Sequence, residues 1–213
     1  MPDLRLYLLS TLFIFIMNIT PGPNNALGMA VGLAHGYRAA LPHCLSVGLG
    51  QVIMMTGVYF GLGGFFEAYP QVPSVLRILG TVYIVWLAVK VAGFTPFRRT
   101  KEWNATHMGD ITKPSEKVTP LTFWQGILFQ FVNVKGWLAI VMTYTYYIAI
   151  NPETALPLYV YTLFLFMVIG VASISFWALC GVFLRRFLSS EGVRITNYVL
   201  AALLIMSVVS LYL

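Results

Sequence analysis

Residues 18–25 read N-I-T-P-G-P-N-N and lie inside an otherwise apolar run. Pro21 and Pro23 carry no N–H, so each deletes a helical bond to the carbonyl four residues back and frees the carbonyls of Met17 and Ile19. Thr20 followed by Pro21 reads as the N-cap and first residue of a new half-helix. The N–H groups of Gly22, Asn24 and Asn25 at that new N-terminus form a partially positive end that suits a carboxylate. The freed carbonyls on the other side suit an ammonium group. One interrupted helix thus offers complementary ends to a zwitterion. A second interruption occurs in "GILFQFVNVKGWLAIVMTY", where Asn133, Lys135 and Gly136 break the apolar run after Gln125 and Gln130. Lys135 would lie about 21 Å into its span at 1.5 Å per residue. A charge that deep lines a pathway or has a partner. The candidate substrate-binding set is Pro21, Gly22, Pro23, Asn24, Asn25, Asn133 and Lys135, with Asn18, Gln51 and His43 as secondary candidates.

These residues need elements to hold them, and composition says which kind. Of 213 residues, 59% are hydrophobic and 9% charged, with a mean hydropathy of +0.81. A soluble domain has roughly 25% charged residues. The chain cannot clothe itself in polar surface and is read as a membrane protein. Its net charge of +6 belongs to cytoplasmic loops rather than to a nucleic-acid surface. Cys44 and Cys180 lie in apolar runs without C-x-x-C spacing and read as small buried hydrophobes. The N-terminal apolar stretch runs into the proline break with no cleavage-site pattern, so it reads as a retained helix.

A bilayer-spanning helix needs about 20 mostly apolar residues. Six segments qualify: 4–33 (interrupted), 39–66, 74–94, 121–150, 156–184 and 193–213. The expectation is an all-α polytopic protein forming one membrane domain over 1–213. Its halves, 1–94 and 120–213, hold three spans each and flank a polar loop, 95–119. Three helices per half invert the second half relative to the first, a recurring transporter plan in which paired interrupted helices mark the binding site. Ten of the thirteen Lys and Arg fall on one face: Arg38, Lys90, Arg98, Arg99, Lys101, Lys113, Lys117, Arg185, Arg186 and Arg194. The positive-inside rule puts that face and the 95–119 loop in the cytoplasm and both termini outside. Gly48, Gly50, Gly57, Gly61, Gly63 and Gly64 make the second span smooth, which permits close packing and sliding. The aromatics Trp124, Tyr144, Tyr146, Tyr147 and Tyr159 read mostly as interface anchors.

"TPGPNNALGMAVGLAHGYRAAL" resembles the signature of the LysE/RhtB family of bacterial amino-acid exporters. "LGTVYIVWLAVKV" is similar to the family's third helix, and "FVNVKGWLAI" to its Asn-Pro-Lys motif in the fourth. The resemblance covers the whole chain. It implies a plasma-membrane exporter of amino acids or close relatives, driven by the proton-motive force and oligomeric in some members. Pro21, Gly22, Pro23, Asn24, Asn133 and Lys135 stand at the motif positions. Two departures carry consequences. Val134 stands where the family has proline, so the second break is expected to be the weaker. Gln51 stands where many relatives carry an acidic or other polar residue. No Asp or Glu lies deep in any span, which leaves Lys135, His43 near the inner mouth, or the substrate itself to carry a proton. No cofactor is called for.

Rival readings make different demands. A metal-ion exporter of similar plan needs clustered ligands; His35, His43 and Cys44 are near in sequence, but no buried carboxylate joins them. A membrane scaffold subunit would not require interrupted helices. An enzyme would need a nucleophile–base set within the spans, and none is evident. The transporter reading requires both interruptions to border one polar cavity.

Overall fold

The computed structural model describes residues 4–62, 68, 71–92, 120–148, 152–187 and 190–209, and among these the fold is all-helical. The elements are α1 (Leu4–Ile19), α2 (Pro23–His35), α3 (Tyr37–Gly57), α4 (Gln71–Ala92), α5 (Phe123–Val132), α6 (Val134–Thr143), α7 (Ala155–Arg185) and α8 (Ser190–Val209). α3 and α6 each continue into a short π-helical turn. The 95–119 loop, both termini and Gly63, Gly64 and Glu67 lie outside the described residues.

Two helices, Tyr37–Gly61 and Ala155–Arg185, are each long and apolar enough to cross a bilayer. Two bent pairs reach that length together: α1 with α2, at 51°, and α5 with α6 and its continuation, at 69°. The third and sixth expected spans correspond to α4 and α8, whose apolar stretches, Ile78–Val89 and Ile195–Met206, are shorter.

The protein is inside-out relative to a soluble domain. Leu4, Leu8, Leu12, Phe15, Val82, Leu128, Phe164 and Phe183 are exposed, while Asn18, Asn24, Asn25, Gln51, Gln130 and Asn133 are buried. Apolar exterior of this extent marks a membrane-embedded surface. The polar residues lie between two apolar cores. One gathers Ala26, Val31, Ala40, Val47, Ile84, Phe129, Ala178 and Leu204. The other gathers Ile14, Met54, Ala139, Ile140, Leu158 and Phe166. Along α3 the order is Val47, Gln51, Met54; along α7 it is Phe166, Ser173, Ala178. Each long helix therefore passes from one greasy core to the other through a polar layer.

α7 is the post around which that layer is built, packing on α1, α2 and α3. Glycines set the separation. A Cβ at Gly32 would fall on the Ala178 carbonyl, one at Gly181 on the Met29 carbonyl, and one at Gly28 would lie 2.9 Å from Ile174 Cγ2. Small residues at a helix crossing let the backbones approach, which is how membrane helices gain packing energy when lipid is as apolar as leucine. On α3, Gly48 does the same against Met167 and Val171 of α7. Gly50 likewise makes room for Gln130 of α5, whereas Gly61 has open space beside it. Gly36, at φ +86°, turns α2 directly into α3, its N–H donating to the Gly32 carbonyl at 3.0 Å. That left-handed conformation is one only glycine adopts freely. Among the aromatics, Trp124 and Tyr146 are exposed as anchors would be. Tyr159 is buried instead, stacked on Tyr59 at 3.9 Å and donating to Thr56 Oγ1 at 3.0 Å.

Candidate functional site

The first break falls two residues later than its sequence suggests. Thr20 continues α1: its N–H donates to the Ile16 carbonyl at 3.1 Å and its hydroxyl donates to the same carbonyl at 2.9 Å. Gly22, fully extended, is the N-cap of α2, and Pro23 is its first residue. Proline fits there because its missing N–H would have had no helical partner. No side chain caps this N-terminus. Its first residues, Gly22 to Asn25, line a small chamber of about 20 Å³.

The carbonyls around the bend do not wait for a ligand. Ile19's accepts from the Trp177 indole N–H at 3.0 Å. Asn18's accepts from Asn25 Nδ2 at 2.9 Å and from Ser173 Oγ at 2.7 Å. Thr20's accepts from Asn25 Nδ2 at 2.6 Å. The ammonium expected there is the protein's own: Lys135 Nζ donates to the Thr20 carbonyl at 2.7 Å, to Thr20 Oγ1 at 2.8 Å and to the Pro21 carbonyl at 3.2 Å. An unpaired carbonyl in hydrocarbon costs several kcal/mol, and these side chains remove that cost. Replacing Trp177 with Phe keeps the bulk and strands the Ile19 carbonyl. The expected loss is about 1–3 kcal/mol, to be read from thermal unfolding of the purified variant.

The second break is the sharper of the two, against expectation. Val134 in place of proline does not soften it, because the bend is made by other means. Asn133 leaves helical conformation (φ −84°, ψ 94°) and closes α5 with its N–H on the Gln130 carbonyl at 3.1 Å. The Trp137 indole N–H, from α6, reaches back to the Phe131 carbonyl at 2.8 Å. Gly80 of α4 has no Cβ to collide with the Val132 carbonyl. α5 begins with a reciprocal cap, Thr122 with Gln125, so Gln125 serves the helix end and not the site.

The two breaks meet. Asn18, Gly22, Pro23, Asn24, Asn25, Gln51, Asn133 and Lys135 all line the same small chamber, together with Gly136, Ala139, Ile174 and others. Pro23, Asn133 and Lys135 also line an adjoining cavity of about 340 Å³, with Thr20, Pro21, Ile84, Leu138, Leu203 and Met206. Ten candidate residues were expected at the site, and nine border one or both cavities. His43 does not: it lies buried behind the α2 N-terminus, Nε2 3.3 Å from the Asn24 carbonyl, its ring near Phe129.

Amide pairs tie the layer together, one joining α2 to α5 and one joining α3 to α1. Asn24 Nδ2 donates to Gln130 Oε1 and Gln130 Nε2 donates to Asn24 Oδ1, both at 3.1 Å and both buried. Gln51 Nε2 donates to Asn18 Oδ1 at 2.8 Å. The remaining oxygens, Gln51 Oε1 and Asn133 Oδ1, are buried and have no hydrogen-bond partner. A chamber of this size holds about one water, and these two acceptors give it somewhere to bond. In a double-mutant cycle, Asn24→Leu and Gln130→Leu should each destabilise by about 1–3 kcal/mol. The pair should be milder than their sum, with a coupling of at least about 1 kcal/mol. Equal additive losses in thermal unfolding would show that the pair does not act as a unit.

Gln130, Ser173 and Trp177 are the residues of this layer that the sequence did not single out as binding residues. The signal was present for α7: Ser173 and Trp177 are spaced i, i+4 on a 31-residue apolar helix, so they share a face. Among the described residues no three of His, Cys, Asp and Glu come together.

A membrane-embedded helical bundle whose two broken helices cross at a buried polar layer is the build of a translocator. The family model for LysE type translocators matches residues 15–213, and the chain belongs to that family. It is 32% identical to a cysteine/O-acetylserine efflux protein of Escherichia coli O139:H28 over 208 residues, 94% of either chain. Proteins of the same name from Escherichia coli K12 and Shigella flexneri serotype 5b are 31% identical over the same share. No solved structure matches the chain.

Proposed function

We propose that the chain is a secondary active exporter of amino acids or close derivatives across the bacterial plasma membrane, driven by the proton-motive force. Its two three-helix halves rock around the polar layer, with loop 95–119 in the cytoplasm and both termini outside. The observation that carries this reading is the meeting of both helix breaks at one buried polar layer, with Lys135 of the second break bonded to the backbone of the first. Irregular backbone at membrane depth survives only against protein or a water-filled path. The efflux relatives point to the cargo class.

Helix packing supports the inverted repeat. Exchanging the halves pairs α3 with α7 and α4 with α8, and each of these pairs packs together. The packing of α1 and α2 on α7 is matched by that of α5 and α6 on α3. The packing of α8 on α2 is matched by that of α4 on α5 and α6. These matched pairs are what a two-fold swap of the halves requires, whereas among the described residues the packing of α2 on α3 and α4 has no counterpart of like extent for α6 on α7 and α8.

The cavities suit a closed, unloaded state. The small chamber is too tight for an amino acid, whereas ligand pockets run from about 300 Å³ upward and the adjoining cavity is of that size. A cargo in the larger cavity would place its carboxylate between the α2 N-terminus and Lys135. The test is uptake of radiolabelled L-cysteine, O-acetyl-L-serine and a panel of other amino acids into everted vesicles, with and without an uncoupler. Uptake of at least one that the uncoupler abolishes is expected. Uptake of none would overturn the reading.

A further inference from the structure

Lys135 Nζ meets three acceptors, the Thr20 carbonyl, Thr20 Oγ1 and the Pro21 carbonyl. A primary ammonium has three N–H donors, so the set is filled one to one. Both carbonyls belong to the stretch between α1 and α2, where the bend removes them from the main-chain ladder. Gly22 leaves room for the lysine arm: a Cβ there would lie 3.0 Å from Lys135 Cδ and 3.1 Å from Nζ. Thr20, Pro21 and Lys135 also line the larger cavity, so a solute there borders the residues that carry the three oxygens. When the lysine leaves, the Thr20 carbonyl keeps its bond from Asn25 Nδ2.

We propose that this cage is the cargo's ammonium subsite and that Lys135 is its resident occupant in the unloaded protein. The inference rests on the export reading. On loading, the cargo's α-ammonium takes the three acceptors, and Lys135 Nζ moves to the cargo carboxylate. The two groups of an α-amino acid share one carbon, so the displaced Nζ travels only a few ångströms to its new partner. No bond is made or broken and the net charge of the site is unchanged, because a zwitterion enters. The exchange selects for cargo with both groups free. A carboxylate-free amine would leave the displaced lysine unpaired. An N-acylated amino acid has no ammonium to fill the cage.

Two measurements on the purified full chain test this. The isomers O-acetyl-L-serine and N-acetyl-L-serine differ in whether the ammonium is free; wild type should bind the first at least tenfold more tightly. Removing the lysine arm should reverse the rule for simple amines. Lys135→Ala lacks a fragment the size of n-propylammonium. Added n-propylammonium should raise the Tm of this variant by several degrees, leave wild type unmoved, and have no counterpart with tetramethylammonium, which has no N–H. Lys135→Ser, which vacates the same space, should respond in the same way should Lys135→Ala fail to fold. Equal binding of the two isomers, or no response of either variant to n-propylammonium, overturns the proposal. If neither isomer binds wild type while n-propylammonium stabilises the variants, the exchange falls with the export reading and the ammonium cage stands.

Discussion

Vesicles carrying Lys135→Met are expected to take up cargo about a hundredfold more slowly than wild type, equivalent to about 2.7 kcal/mol of lost stabilisation along the transport cycle. Methionine preserves length and apolar bulk but offers no donor. In the unloaded protein the loss is partly absorbed: the Thr20 carbonyl keeps Asn25, the Thr20 hydroxyl still donates to Ile16, and only the Pro21 carbonyl loses its one named partner. In the loaded protein nothing replaces the ammonium that should face the cargo carboxylate, and a hydrogen bond to a charged group is worth about 1.5–3 kcal/mol. The variant should therefore be more impaired in transport than in stability. Lys135→Arg should recover only part of the rate, because a planar guanidinium presents its donors as a fork and not as a tripod. Uptake at sub-saturating cargo, normalised to folded protein in the vesicles, measures both. A Lys135→Met protein that transports within twofold of wild type would sink the site assignment.

The difference between what the sequence foretold and what the chain does at these breaks has local causes. A proline pair within an apolar run can only interrupt a helix, since two N–H donors are missing; that is covalent and legible. Where the new helix begins is a competition, and Thr20 decides it by bonding back to Ile16 with both its N–H and its hydroxyl. Such back-bonding is available to any threonine in a helix and cannot be scored without the geometry. The second bend shows the opposite case. Its proline is absent, yet it is the sharper one, because Trp137 satisfies the Phe131 carbonyl and Gly80 on another helix makes space for Val132. Neither helper is visible from residues 133–136 alone. The amide partners follow the same logic. Asn24 and Gln130 are separated by 106 positions, and only the order in which helices pack could have paired them. His43 is the reverse case: a histidine near a helix start suggests a mouth, and here it lies buried against the Asn24 carbonyl.

The polar layer can be held this closely only if the α2–α7 crossing is tight, and that rests on glycine. Gly32→Leu is expected to remove most of the folded protein, destabilising it by at least about 3 kcal/mol, the upper range for overpacking a filled core. The first added carbon already falls on the Ala178 carbonyl, so no rotamer of the longer side chain avoids the clash. The helices must separate, and one turn away Gly181 faces the Met29 carbonyl in the same manner, so the whole seam opens. Trp177 and Ser173 ride on the same helix, and their bonds to the Ile19 and Asn18 carbonyls would lengthen with it. Unlike Lys135→Met, this variant should lose stability and transport together. Gly136→Ala is the control. A Cβ there meets nothing closer than 3.5 Å, and alanine favours a helix interior over glycine by about 1 kcal/mol, so its melting temperature should hold or rise even though it lines the chamber. Thermal unfolding in detergent with size-exclusion recovery distinguishes the two, and equal recovery of Gly32→Leu and Gly136→Ala would mean that the α2–α7 seam is not what holds the broken helix in place.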